Sequence, residues 1–364
     1  MKKTIIFLSI LATTFAMNTG VKAQAVIMLE HQTGGSEYFY DLSTAIINAQ
    51  SGDYLYLPGG TFSINFPLHK GITIIGAGHY PDSTLATNQT IITGNITIAD
   101  SADALHLEGL YISGNIAHAQ DINSQQRADN VIIRRCSFNS LTSLQNGYNQ
   151  NAPDSCFSLN WQIVNNVVRA DLQFGYLRST TVKGNIVNGR MSGAWTGANI
   201  ENNVFLYNST TDQFMNDIRY SSIKNNIFMT EGSISYPAYA CYAPACGSYG
   251  NTWMNNLFVT NATNFNPGIA IADINNIFSV PSASIFQGYT AGAFSYNNNL
   301  HLNASCLGVN AGTDGTDMGI YGSSQPYKEG AVPLNPHIYF KNIGSTTNPN
   351  GTLNINIKVK AQDN

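Results

Sequence analysis

One short pattern recurs along this chain and constrains its fold more than any other feature: apolar, any residue, Asn, Asn, apolar, apolar. It stands as Ile163-Val164-Asn165-Asn166-Val167-Val168, Ile200-Glu201-Asn202-Asn203-Val204-Phe205, Ile223-Lys224-Asn225-Asn226-Ile227-Phe228 and Trp253-Met254-Asn255-Asn256-Leu257-Phe258. Looser copies place Asn185, Asn276 and Asn299 in the second Asn slot, and Ile133-Arg134-Arg135-Cys136-Ser137-Phe138 places a cysteine there. Successive slots lie 18 to 30 residues apart. A fixed core with a variable period is what a β-solenoid produces, because each coil is held while its loops vary. Between the Asn pairs the chain carries short β-branched runs broken by Gly and Asn, with no sustained helical period, which excludes helical repeats. A propeller needs repeats of roughly 40 residues, about twice these spacings.

The slot explains its residue. A coil turns sharply there between two strands, and the turn needs a residue that tolerates left-handed backbone angles. Asn does so, and its amide reaches the Asn of the next coil at the strand spacing of about 4.8 Å. Asn166, Asn185, Asn203, Asn226, Asn256, Asn276 and Asn299 are therefore read as a structural ladder. The expected fold is all-β: a single-stranded right-handed parallel β-helix of about ten to twelve coils.

The ends are different. Lys2 and Lys3 precede an apolar stretch, and small residues surround Ala23, as in a secretory signal peptide over residues 1–23. No cysteine follows to carry a lipid, and no later stretch approaches the roughly 20 apolar residues of a spanning helix. The expected location is secreted, periplasmic or at a bacterial cell surface. Cleavage would remove Lys2, Lys3 and Lys22, taking the net charge from −4 by three units to −7. A chain so acidic, and only 10% charged, lacks the clustered Lys and Arg that nucleic acid requires.

Residues 40–50 read as one amphipathic helix, followed by Ser51-Gly52-Asp53-Tyr54-Leu55-Tyr56-Leu57-Pro58-Gly59-Gly60 and Lys70-Gly71-Ile72-Thr73-Ile74-Ile75-Gly76. This succession resembles the opening of pectate-lyase-like proteins of the pectin-lyase fold. The resemblance covers about residues 40–300 and implies an N-terminal helix capping the cylinder and a glycan-facing groove. The β-helix is expected over residues 24–306, with 307–364 as a small strand cap over the far edge. Within the cap, residues 333–340 and 353–359 read as strands.

Chemistry is harder to find. Hydrolases with this fold carry Asn-Thr-Asp, Asp-Asp, Gly-His-Gly and Arg-Ile-Lys motifs, none of which occurs here. A lyase needs a base to take the proton next to a uronic carboxyl. The candidates are Arg190 and Arg219, with Asp171 and Asp217 beside them on neighbouring coils; a ladder of surface ion pairs would look the same. The seven histidines form no metal-binding spacing. No cofactor is called for, although Asp314 and Asp317 are a candidate pair for calcium.

The longest interruption of the repeat carries Tyr236, Tyr239, Tyr242 and Tyr249, with Cys241 and Cys246 placed to close a short disulfide. Tyrosines on a pinned loop suit sugar stacking or contact with a protein; packing over the cylinder flank is the alternative. The functional expectation is a monomeric β-helix that binds polysaccharide or a cell-surface component without a recognisable catalytic site. The alternatives are a lyase for an acidic glycan and a structural adhesion protein.

Overall fold

The computed structural model of the chain describes residues 25–118, 127–143, 157–193, 197–208, 214–232, 248–263, 265, 271–333 and 336–361. The chain is a parallel β-helix with three sheets of 12, 9 and 6 strands. One coil shows the plan: Gln162–Val164 lies in the first sheet, Val167–Val168 in the second and Leu172–Gln173 in the third. The chain then returns to the first sheet at Thr181–Lys183. Such crossovers between parallel strands are right-handed almost without exception.

The first sheet begins antiparallel, with Ile27–Glu30 between Ser36–Phe39 and Tyr54–Tyr56, and continues parallel to Ala272–Ile274. The helix is Leu42–Asn48, capped by Asp41, whose carboxylate accepts from the Thr44 amide at 2.7 Å. Leu42, Ala45 and Ile46 join the core of the first coils. Lys70 closes the other end by donating to the carbonyls of Ile46, Ile47 and Ala49.

Inside the cylinder, in-register residues stack coil on coil. Leu107, Ile133, Ile163, Val182, Ile200, Ile223 and Trp253 form one buried column of the first sheet. Phe205, Phe228, Phe258 and Phe278 form an aromatic column, with centroids 4.7 to 4.9 Å apart and nearly parallel rings. That is the strand spacing, so one repeat distance serves both the backbone hydrogen bonds and the ring contacts.

The two Asn of each pair do different work. The first slot takes the left-handed backbone: Asn165, Asn202, Asn225, Asn255 and Asn275 have φ between 50° and 59°, and Gly109, Arg135 and Gly184 occupy the same slot. The second slot carries the ladder. Amide donors run Asn166 to Asn185, Asn203, Asn226, Asn256 and Asn276, each step 2.9 to 3.0 Å. Each Nδ2 also donates to a carbonyl of the preceding coil, as Asn203 does to Val182 at 2.8 Å. Each Oδ1 also accepts a backbone N–H, so these buried amides are satisfied. Cys136 stands at the head of the ladder. Its N–H donates to Asn166 Oδ1, its thiol donates to carbonyls in the same manner, and burial pushes that thiol up to about 12.

Asn299 is not in the ladder. It lies on Asn299–Leu302, paired antiparallel with Phe286–Gly288, and its amide donates to Gln287. The chain has left the coil by then. Residues from Val280 to Ala331 form a second buried cluster with Val167, Ile186, Val204, Ile227 and Leu257, the outward members of the second-sheet pairs. This arm runs back along the cylinder. Ala311 accepts from Asn255, Gly319 from Asn202, and Val332 from Arg135. The two C-terminal strands, His337–Ile343 and Ile355–Lys360, pair antiparallel with each other. The hairpin lies beside Tyr56, Pro58, Ile75 and Ala77 of the first coils. The far edge, Ala272–Ile274, has no further strand beyond it among the described residues.

Candidate functional site

The four charged candidates form two pairs set at opposite ends of the third-sheet strands. Arg190 just precedes Met191–Ser192; its backbone N–H donates to Asp171 Oδ1 at 2.7 Å, and its guanidinium lies 3.8 Å from the same carboxylate. Asp217 follows Met215–Asn216 in the next coil, and its carboxylate lies 3.5 Å from Arg219. In register, Arg190 and Asp217 are separated by the length of a strand, about 10 Å of backbone. The Arg190 side chain is 51% exposed, whereas that of Arg219 is 6% exposed and lies over the Tyr249 ring at 4.9 Å.

The corner that holds Arg219 has a feature the repeat does not explain. Seven successive first-sheet strands are preceded, two residues earlier, by a left-handed residue: Ala104, Asn130, Asn160, Ser179, Gly197, Tyr220 and Gly250 before strands that begin at 106, 132, 162, 181, 199, 222 and 252. Small residues, Asn and Gly suit that backbone, and a bulky side chain there is strained. Tyr220 adopts it at φ +49 and is 56% exposed. Space is made for its ring by the glycine of the next coil, since a Cβ on Gly250 would stand 2.6 Å from Tyr220 Cδ1.

The rest of the corner is fixed. Tyr220 and Tyr249 meet edge to face with centroids 5.2 Å apart, and the Tyr220 N–H donates to the Tyr249 carbonyl. The hydrogen bond with Tyr249 raises the Tyr220 hydroxyl above its ordinary value, so it stays neutral. Asn251 accepts from the Ser221 N–H at 2.9 Å and donates to the Ile218 carbonyl at 2.7 Å. The outcome is an exposed phenol on a rigid base, with a second ring at its edge and a guanidinium beneath.

Of the expected tyrosines, Tyr249 is in this corner; Tyr236, Tyr239 and Tyr242 lie outside the described residues, as do Cys241, Cys246, Cys156 and residues 1–23. Tyr220 was not among the expected residues. The signal that finds it is positional: two places before a strand, where neighbouring coils carry Gly, Asn, Ser or Ala.

Two other groupings are taken up by their own surroundings. His118 bonds to Ser143 and Ser158, each at 3.0 Å, but all three are buried in the cylinder, and burial pushes His118 down to about 4. Asp314 accepts from the N–H and hydroxyl of Thr316, and Asp317 accepts from the Asn310 N–H, so both carboxylates brace their own turn. Among the described residues no group of three or more His, Cys, Asp or Glu is arranged to hold a metal ion, and Cys136 and Cys306 are free and buried. Among those residues, also, no helix is long and apolar enough to cross a membrane.

No family model matches the chain, and no curated protein does. A solved structure titled a new PL6 alginate lyase complex with trisaccharide aligns over 71% of this chain and 88% of its own. The identity is 10% and the TM-score 0.24. A superposition that loose carries no argument about the site; the fold rests on the strand pairing itself.

Proposed function

We propose that this chain is an exported β-helix protein that binds polysaccharide through the Tyr220 corner and does not cleave it. The observation that carries this reading is a tyrosine held exposed where the backbone favours Gly or Asn, over a glycine that leaves room for its ring. A locally unfavourable residue with no burial to offset it marks a functional position. An aromatic face with a polar tip suits a sugar ring, whose C–H surface lies on the phenol while its hydroxyls reach Tyr249.

Catalysis lacks a base in the right setting. Arg219 is buried against Tyr249 and paired with Asp217, and Arg190 is a surface residue beside Asp171. The acidic chain also repels polyuronates at low salt, so a neutral glycan is the better ligand.

Depletion binding to a panel of neutral and uronate polysaccharides tests this, with ultraviolet absorbance followed for unsaturated products. The wild-type protein should bind at least one polymer without an absorbance rise. Tyr249→Leu should weaken that binding by roughly fivefold, about 1 kcal/mol of ring contact. An absorbance rise would replace binding with lyase chemistry, and unchanged binding by Tyr249→Leu would remove this corner from the account.

A further inference from the structure

A second aromatic site lies on the other side of the molecule. Where the returning arm crosses the second sheet, Tyr80, Tyr296, Tyr321 and Tyr327 enclose a cavity of about 210 Å³ with Asp82 and Glu329. Tyr327 is fully buried, while Asp82 and Glu329 are exposed at the rim. The lining holds those two carboxylates and no lysine or arginine among the described residues. This size lies below that of drug-sized ligand sites and fits a small molecule.

The tyrosine hydroxyls are already engaged. Tyr80 and Tyr327 bond to each other at 2.8 Å, Tyr296 bonds to His79 at 3.1 Å, and Tyr321 donates to Glu329 at 3.5 Å. Burial first, and the Glu329 charge second, raise the Tyr321 hydroxyl, so it remains neutral. What the cavity offers a ligand is ring surface, two carboxylates and the side chains of Ser83 and Asn298, with the tyrosine hydroxyls already engaged. Ring faces and carboxylates both attract positive charge. His301 packs beside the cavity: its ring stacks on Tyr321 at 3.8 Å between centroids and lies 3.7 Å from Glu329.

The geometry points to this cavity as a binding site for a small organic cation of the ammonium class, held by the rings of Tyr80, Tyr296 and Tyr321 and by Glu329. The site is independent of the polysaccharide corner. It joins the arm to the body of the cylinder, so its occupant would bridge two parts of the chain distant in sequence.

Isothermal titration of the full mature chain with tetramethylammonium chloride tests this, with sodium chloride and tert-butanol as controls for ionic strength and shape. Saturable binding of the ammonium ion is expected, with tert-butanol at least about tenfold weaker. Glu329→Gln, a substitution at an exposed rim residue, should weaken the cation by about tenfold while leaving the urea midpoint unchanged. Equal binding of tert-butanol, no saturable binding of tetramethylammonium, or full binding by a folded Glu329→Gln protein would each overturn the assignment.

Discussion

The corners on either side of a first-sheet strand obey different rules. At the corner after the first sheet, the second Asn side chain points into the cylinder and is read by the coils on either side. At the corner before the first sheet, the backbone is equally left-handed, yet the residues run Ala104, Asn130, Asn160, Ser179, Gly197, Tyr220 and Gly250. The first corner fixes residue identity through hydrogen bonds to neighbouring coils. The second fixes only the backbone, so the side chain there is available for another purpose, and Tyr220 is where that freedom is used.

The largest test of this contrast is Asn203→Ala. It removes an amide with four buried hydrogen bonds to Asn185, Val182 and Asn226. Unsatisfied buried groups cost about 1 to 3 kcal/mol each, so a loss of about 4 kcal/mol in a urea melt is expected. A loss under about 1 kcal/mol would mean the ladder is not a main support of the coil.

The next test uses pH. Burial holds His118 down at about 4 and His79 at about 3, against 6.5 for each in the unfolded chain. Both are neutral when folded. Below 6.5 the unfolded state binds protons that the folded state refuses, so stability falls between pH 6.5 and about 4. His118 alone contributes about 3 kcal/mol across that window. Denaturant midpoints should therefore drop on acidification, and His118→Gln should flatten the slope. A slope unchanged in that variant would assign the loss to other groups.

A smaller effect probes the second corner. Gly250→Ala places a methyl against the Tyr220 ring and puts Ala in a left-handed conformation, for a loss of about 2 kcal/mol. In a Tyr220→Asn background only the backbone cost should remain, so the double-mutant cycle should show a coupling of about 1 kcal/mol. Additive losses would mean that the ring does not rest on that glycine. Smallest of all is Asn165→Gly, which keeps the left-handed turn and removes an amide whose Oδ1 has no partner. It should change stability by less than about 0.5 kcal/mol, although it neighbours Asn166.

Much of the ladder was legible because its residues are set by geometry: an Asn at each second slot marks a coil. Its limits show where pattern and structure part. Asn297-Asn298-Asn299-Leu300 matches the repeat, but three Asn before a leucine also suit a turn entering a hairpin, and tertiary packing decided in favour of the hairpin. The paired apolar residues after each Asn pair carry a second signal. The second of each pair, Val168, Val187, Phe205, Phe228, Phe258 and Phe278, faces the main core, and the first implies a cover on the outside, which the returning arm supplies. The charged candidates do lie on neighbouring coils, but the short third-sheet strands set the two pairs at opposite ends. Tyr220 was missed because the corner it occupies has no shared residue type, only a shared backbone angle, and a sequence does not display φ.

The most direct test of the division between corners is Tyr220→Asn, with the urea midpoint and the isotherm for the tightest-bound polysaccharide measured on the same protein. Stability should be equal to wild type or higher, by up to about 1 kcal/mol as the strained backbone gains a tolerant residue, while affinity falls about tenfold. Wild-type affinity in a folded Tyr220→Asn protein, or a stability loss of several kcal/mol, would contradict the claim and make Tyr220 a packing residue like those inside the cylinder.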